Sequence, residues 1–142
     1  MEAKDEALKI LLRKRQSGRQ VFEKLLEKGF ESGDAEEAVE YYREKGYIDD
    51  KDYARRFAAD AVKIKGFGRA RIERDLRQRG IGQSDIDNAL SGVQFDVASQ
   101  MIKKFPACTS LKEKNKIINH FLRKGFSLSE IHDAFGEIYE EF

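Results

Sequence analysis

A chain of 142 residues, 40% of them hydrophobic and 37% charged, can form one ordinary domain or a short series of smaller units. The charged fraction and a mean hydropathy of −0.67 favour small helical units, each burying one stripe and exposing the rest. No apolar run approaches the roughly 18–20 residues that span a bilayer, and the mixed charges of MEAKDEALKILLRK do not suit a secretory signal. A single cysteine, Cys108, excludes an internal disulfide. We therefore expect a cytoplasmic protein without membrane contact.

The net charge of +1 conceals two segments of opposite sign. Residues 31–52 carry nine acidic and three basic side chains, a net charge of −6, whereas residues 55–79 carry nine basic and three acidic side chains, a net charge of +6. Such a distribution creates local potentials that the net charge does not reveal. It indicates charged partner surfaces.

The spacing of apolar residues predicts nine helices and no strand. In chain order they cover 3–16, 18–28, 33–45, 50–64, 68–79, 83–91, 94–104, 110–124 and 127–140. Three starts have the spacing of a capping box, and either Asp49 or Asp50 can cap the fourth helix. The three capping pairs are Ser17 with Gln20, Ser110 with Glu113, and Ser127 with Glu130.

A pattern of base, glycine and large apolar residue occurs three times, centred on Gly29, Gly80 and Gly125. Apolar residues recur eight and four positions before each glycine and six and ten after it, and an acid recurs five after it. A terminal glycine can adopt the left-handed conformation that ends a helix. The pattern therefore predicts an all-α protein of three tandem three-helix repeats, with boundaries at 1–48, 49–92 and 93–142. The apolar positions are Val21, Leu25, Ala35 and Val39; Ile72, Leu76, Ile86 and Leu90; Ile117, Phe121, Ile131 and Phe135.

The stretch KGFGRARIERDLRQRGI at residues 65–81 could be mistaken for a phosphate-binding loop. It lacks the Walker pattern, and no strand precedes it. Gly68 is instead expected to be the N-cap of the fifth helix, with Phe67 and Ile72 spaced as a hydrophobic staple. A phosphate contact at this helix start remains an alternative.

No residue constellation indicates catalysis, a cofactor or a metal. His120 and His132 lack the paired spacing of a zinc site, and the acids of DDKD at 49–52 lack EF-hand spacing. A negatively charged helix start explains those acids more simply. We expect Cys108 to be a small structural side chain, and we expect the protein not to be an enzyme.

The basic residues form the sharper signal. Helical geometry places Arg71, Arg74 and Arg77 opposite the buried stripe, where guanidinium groups can meet phosphates or carboxylates. In the simpler alternative, Glu73 pairs with Arg77 and Arg71 with Asp75 along the helix. The candidate partner- or DNA-binding residues are Lys63, Lys65, Arg69, Arg71, Arg74, Arg77 and Arg79.

Aromatic residues cluster just upstream of this segment. Most are expected to belong to the core, and a stacking platform for nucleic-acid bases is the alternative. The cluster comprises Tyr41, Tyr42, Tyr47, Tyr53 and Phe57.

The segment EKGYIDDKDYARRFAADAVKIKGFGRARIERDLRQRGI resembles the central signature of the RecX family, bacterial regulators of the RecA recombinase. Two departures are visible: members often have a base before the Lys-Gly step, where this chain has Val62-Lys63-Ile64, and often a proline where Arg69 stands. The matching residues are Gly46, Tyr47, Ile48, Asp49, Asp50, Tyr53, Ala54, Phe57, Lys65, Gly66, Gly68, Arg71, Ile72, Leu76, Gly80 and Ile81.

The resemblance implies an elongated, curved array of three repeats that lodges in the groove of the RecA–single-stranded DNA filament. There it would inhibit recombination, ATP hydrolysis and the coprotease activity that triggers the SOS response. We expect residues 55–79 to meet the acidic or nucleic-acid side of the groove, and residues 31–52 a basic protein surface. The expected partners are the RecA filament and single-stranded, or also double-stranded, DNA, bound by a monomer. The alternative is an independent DNA-binding repeat protein that uses the basic face of the second repeat.

Overall fold

The computed structural model describes residues 2–139, and every regular element in that range is helical, as predicted. The α-helices are α1 (Ala3–Arg13), α2 (Gly18–Glu27), α3 (Ser32–Glu44), α4 (Asp50–Asp60), α5 (Arg69–Gln78), α6 (Gln83–Leu90), α7 (Val97–Lys104), α8 (Leu111–Arg123) and α9 (Leu128–Ile138). A π-helical segment, Ala61–Lys65, follows α4 directly. No helix among residues 2–139 combines the length and the apolar character needed to cross a bilayer.

The helix bounds differ from the predicted ones by three residues or more in three places. The first helix ends at Arg13, three residues early, and the fourth changes to π geometry at Ala61 instead of remaining one α-helix to residue 64. The seventh starts at Val97, where the Asp96 side chain accepts a hydrogen bond from Ser99 N. Residue 140, the predicted end of the ninth helix, lies outside the described residues.

Side chains that accept from backbone N–H groups begin most of the helices. Ser17 and Ser127 form the predicted capping boxes. Ser110 accepts from Glu113 N, but the Glu113 carboxylate accepts from Thr109 N, so the reciprocal half of that predicted box is wrong. Asp49 caps α4 by accepting from Asp52 N at 3.1 Å.

The repeated glycines end their helices in one shared way. Gly29, Gly80 and Gly125 have φ of 96°, 79° and 98°, and the following residue donates its N–H to the carbonyl five residues earlier in each case. This is the Schellman ending that the sequence predicts. Gly46 (φ 83°) ends α3, and Tyr47 N donates to Tyr42 O. All twelve apolar positions of the repeated pattern are buried.

The chain divides into two compact units, Met1–Phe57 with Leu76–Ala89 and Ala58–Asp75 with Leu90–Phe142. The first contains a core formed by α1, α2 and α3 around Val21, Leu25 and Tyr42. The second contains a core formed by α7, α8 and α9 around Met101 and Phe121. The three repeat boundaries at 1–48, 49–92 and 93–142 remain a prediction.

Within the first unit, the start of α2 meets the end of α5. Ser17 Oγ donates to Arg79 O at 2.5 Å, and Gly80 lies so close to Arg19 that an added Cβ would stand 2.8 Å from its Cγ. Gly18 N donates to Asp50 Oδ1 at 2.9 Å. The Gly80 position therefore requires glycine both for its backbone conformation and for this close approach.

Within the second unit, the start of α5 meets the end of α8 in the same head-to-tail manner. Gly68 N donates to Lys124 O at 2.8 Å, and Ala70 N donates to Gly125 O at 3.2 Å. A Cβ on Gly68 would stand 2.5 Å from Gly125 O. Protein carbonyls already accept from these two N–H groups, so neither is available to a phosphate, and the alternative of a phosphate contact at this helix start stays a prediction.

Candidate partner-binding surface

The seven predicted basic residues belong to both compact units. Lys63, Lys65, Arg69, Arg71 and Arg74 lie in the second unit, and Arg77 and Arg79 lie in the first. Their surroundings separate the half-buried Arg71 and Arg79 from the five exposed members, although all seven carry the same charge.

The helical pattern predicts that Arg71 projects away from the buried stripe. In the structure Arg71 packs against neighbouring residues instead. Its guanidinium carbon lies 3.8 Å from the centre of the Phe67 ring, and Nη1 donates to Arg123 O at 3.2 Å. Its Nε is buried without a hydrogen bond in the described residues and lies 3.9 Å from Asp75 Oδ2. Arg71 therefore joins the start of α5 to the end of α8.

Arg69 and Arg74 also contact neighbouring protein groups. Arg69 lies 3.6 Å from Glu73 and donates weakly to Leu90 O, and its guanidinium faces the Phe95 ring. Arg74 pairs with Asp75 at 3.3 Å, with 60% of its side chain exposed. The simpler alternative, in which these arginines pair with acids along the helix, is thus confirmed for Arg71 and Asp75. Its other pair, Glu73 with Arg77, stays a prediction.

The two arginines of the first unit have different surroundings. Arg77 is exposed and donates to Gln83 Oε1 from Nη2 at 3.2 Å. Arg79 is half-buried, with its guanidinium carbon 4.5 Å from the centre of the Phe57 ring. Arg79 therefore supports the fold through both its side chain and its carbonyl.

The segment Lys63–Lys65, here called the lysine turn, is the least packed part of the basic set. Lys63, Ile64 and Lys65 are all exposed, and neither lysine forms a salt bridge with any residue in 2–139. Lys65 Nζ lies 5.6 Å from the Phe67 ring centre. Exposed cations without salt bridges can meet an anionic partner without first breaking one. The sequence analysis included both lysines but missed the exposure of Ile64 between them.

The tyrosine cluster divides between core and surface. Tyr42 is buried and donates its hydroxyl to Lys4 O at 2.9 Å, and burial raises the pKa of that hydroxyl. Tyr53 and Phe57 are half-buried and stacked, with ring centres 6.3 Å apart. Tyr41 and Tyr47 are exposed, and both stand edge-on to Tyr42. This packing supports the core interpretation for Tyr42. The alternative of a stacking platform for nucleic-acid bases stays a prediction.

The acids at residues 49–52 form hydrogen bonds and ion pairs at the start of α4. Asp50 accepts from Gly18 N and lies 3.6 Å from Arg43, while Asp52 pairs with Arg15, Arg55 and Arg56. Burial acts to raise the pKa of the Asp52 carboxyl. The hydrogen bond from Arg55 and the charges of Arg55 and Arg56 outweigh it, so the net pKa is lowered. These contacts agree with the helix-start interpretation.

The remaining reactive side chains lie apart. His120 stands edge-on to Phe121 and Phe105, whereas His132 is exposed on α9. The half-buried Cys108 directs its thiol to Ser110 O at 3.6 Å. Within the described residues, no cluster of His, Cys, Asp and Glu could hold a metal ion.

These features define an all-helical repeat protein with a strongly charged surface. Residues 49–90 match the family model described as RecX, second three-helix domain. The chain is 30% identical over 143 residues to Regulatory protein RecX of Vibrio vulnificus (strain CMCP6), covering 96% of this chain and 93% of that protein. It is 27% identical over 147 residues to the protein of the same name from Clostridium botulinum (strain Eklund 17B / Type B), covering 96% and 68%.

Solved structures agree in fold. The crystal structure of RecX from Lactobacillus salivarius matches with a TM-score of 0.79 at 21% identity, covering 96% of this chain and 94% of that one. A second crystal structure of regulatory protein RecX matches with a TM-score of 0.78 at 25% identity, covering 96% and 70%. The chain therefore belongs to the RecX family, and its relatives from Vibrio vulnificus and Clostridium botulinum are named regulatory proteins.

Proposed function

We propose that this chain binds the RecA–single-stranded DNA filament and inhibits its ATPase, recombinase and coprotease activities in the cytoplasm. The observation that carries the proposal is the 30% identity with a regulatory protein over nearly the full length of both chains. The central signature described above lies within the matched region. The role is therefore assigned to the whole chain.

The surface chemistry supports a charged partner. Lys63 and Lys65 are exposed, and Arg74 keeps 60% of its side chain exposed despite its pairing with Asp75. A filament of protein on DNA offers both phosphates and carboxylates, and either can accept hydrogen bonds from these cations. We assign these three residues to binding, and we assign Arg69 and Arg71 mainly to the packing of α5.

The test is the rate of ATP hydrolysis by RecA filaments on single-stranded DNA, measured while the protein is added up to stoichiometric amounts. Wild type should lower the rate, and the variant Lys63→Glu/Lys65→Glu/Arg74→Glu should need at least about tenfold more protein, since three attractive contacts become repulsive. No effect of wild type at stoichiometric protein would refute the proposal.

A matched control separates local contacts from net charge. The variant Arg13→Glu/Lys14→Glu/Lys24→Glu changes the charge by the same amount at exposed bases of the first unit. It should inhibit almost as well as wild type. Equal loss in both triple variants would show that overall charge, and not this surface, governs binding.

A second candidate function, independent DNA binding, is favoured by the absence of salt bridges to the two lysines in the described residues. Lysines in this state suit phosphates, and binding through them would weaken steeply with salt. Affinity for bare single-stranded DNA equal to that for filaments would favour this function. Tighter binding to filaments would favour the regulatory one.

A further inference from the structure

Ile64 is the most exposed of the large hydrophobic side chains in the described chain, at 77%. It lies near the end of the π-helical segment, between the exposed side chains of Lys63 and Lys65. Single exposed aliphatic residues are common on protein surfaces. Ile64 differs because its backbone is fixed and because both of its chain neighbours are positively charged.

The turn that carries Ile64 is closed by two backbone hydrogen bonds, which run from the two residues after Lys65 to one carbonyl before Lys63. Gly66 adopts φ 67° and donates its N–H to Ala61 O, and Phe67 N donates to the same carbonyl at 3.0 Å. A π-helical turn contains one more residue than an α-helical turn, and such turns occur frequently at functional sites. The backbone conformation at Ile64 is thus set before any partner binds.

Tertiary contacts within the second unit fix the same turn. Lys124 Nζ donates to Lys65 O at 2.8 Å, and Phe67 is buried beneath Arg71. Gly66 packs against Gln100, whose Nε2 would stand 3.2 Å from an added Cβ. A preorganised apolar tip loses little conformational freedom on binding, and its burial therefore contributes more to affinity.

We propose that Ile64 inserts into an apolar depression with an acidic rim on a protein subunit of the filament, while Lys63 and Lys65 pair with that rim. This inference rests on the proposed function and assigns a role to a residue outside the predicted basic set. A buried apolar anchor surrounded by polar contacts is the usual arrangement of an interface hot spot. Two lysines beside the anchor make carboxylates the complementary rim.

The chemistry of the tip favours protein over single-stranded DNA. Unpaired bases are bound mainly by aromatic rings or guanidinium planes, on which they stack. An isoleucine has no such face, and the aromatic residue nearest along the chain, Phe67, is buried. The apolar contact should therefore be specific for the protein part of the filament.

The experiment compares Ile64→Ala with Leu12→Ala, a matched change at an α1 side chain that is 72% exposed. Affinity is measured for RecA filaments and for bare single-stranded DNA. Ile64→Ala should bind filaments about tenfold more weakly, as a hot-spot truncation does, and bare DNA within about twofold of wild type. Leu12→Ala should alter neither affinity. Because no charge is removed, the salt dependence of filament binding should keep its wild-type slope.

A second variant keeps the inference testable if the alanine change disturbs the fold. Ile64→Leu preserves the apolar area and should retain filament affinity within about threefold, with an unchanged thermal unfolding midpoint. Wild-type affinity of Ile64→Ala for filaments would overturn the inference alone. Equal losses on filaments and bare DNA would also overturn it, by identifying a nucleic-acid contact. Failure of wild type to bind filaments would overturn the proposed function and this inference with it.

Discussion

Two neighbouring parts of the second unit carry positively charged side chains in different surroundings. At the start of α5, Arg71 lies over Phe67 and donates to Arg123 O, so it serves the junction with α8. In the lysine turn, Lys63 and Lys65 extend into solvent without salt bridges among residues 2–139. Only the second part is available to a partner at no cost to the fold.

The difference shows why a count of positive charges overstates a binding surface. An arginine buries its aliphatic stem and stacks its guanidinium, so its removal costs packing as well as charge. Exposed lysines contribute little to stability. Measurements of the free energy of unfolding should therefore distinguish packed from exposed basic residues more clearly than binding measurements alone.

The largest expected effect on stability is at Gly125, whose carbonyl accepts a hydrogen bond from Ala70 N at the start of α5. Gly125→Ala would place a Cβ 2.6 Å from Arg71 N at a φ of 98°. The clash is with backbone, which cannot rotate away. We expect a loss of about 3 kcal/mol or more in the free energy of unfolding, measured by urea denaturation.

Gly29→Ala is the matched control for that prediction. Gly29 has nearly the same φ, 96°, but apart from its two chain neighbours no described residue has a heavy atom within 4 Å of an added Cβ. The loss should be about 1–2 kcal/mol, the cost of the left-handed conformation alone. Equal losses at the two glycines would contradict the head-to-tail junction at Gly125.

A smaller effect is expected from the arginine itself. Arg71→Ala removes a close cation–π contact and the hydrogen bond to Arg123 O, and should lower the free energy of unfolding by about 1–2 kcal/mol. Lys63→Ala, in the exposed turn, should change it by less than about 0.5 kcal/mol. The comparison fails if the two substitutions destabilise the protein equally in the same denaturation assay.

The smallest expected effect is a dependence of stability on pH, caused by a histidine of α8, the helix whose end contacts the start of α5. Burial lowers the pKa of His120 from 6.5, and the charges of Lys104, Lys124 and Arg123 lower it further. The unfolded chain therefore binds a proton more readily than the folded one does, and stability should fall as pH drops below about 6.5. Thermal unfolding between pH 7.5 and pH 5.5 measures this fall.

His120→Gln should reduce the slope of stability against pH over this range. His132→Gln, at an exposed position on α9, is the control for the loss of one histidine. An unchanged slope in His120→Gln would assign the pH dependence to other groups.

The helices and their ends could be predicted because local sequence determines them. Gly80 ends α5 through a hydrogen bond between Ile81 N and Leu76 O, a contact within six consecutive residues. The same local rule applies at the other two repeated glycines. Ser17 with Gln20 and Ser127 with Glu130 are likewise capping pairs three residues apart.

The surface could be predicted only in part because its packing depends on distant residues. Arg71 donates to a carbonyl 52 residues away, and Lys124 to one 59 residues away. No spacing rule relates such pairs. The exposure of Ile64 was missed for a different reason: one extra residue in a π-turn rotates later side chains by about 100° relative to an α-helix.

The junction between α5 and α8 has a consequence for sequence divergence. Its hydrogen bonds join main-chain atoms, Gly68 N to Lys124 O and Ala70 N to Gly125 O. Most side chains around such a joint can be exchanged during evolution, provided that the two glycines persist. A chain 21% identical to a crystallised relative can thus keep the same architecture, with a TM-score of 0.79.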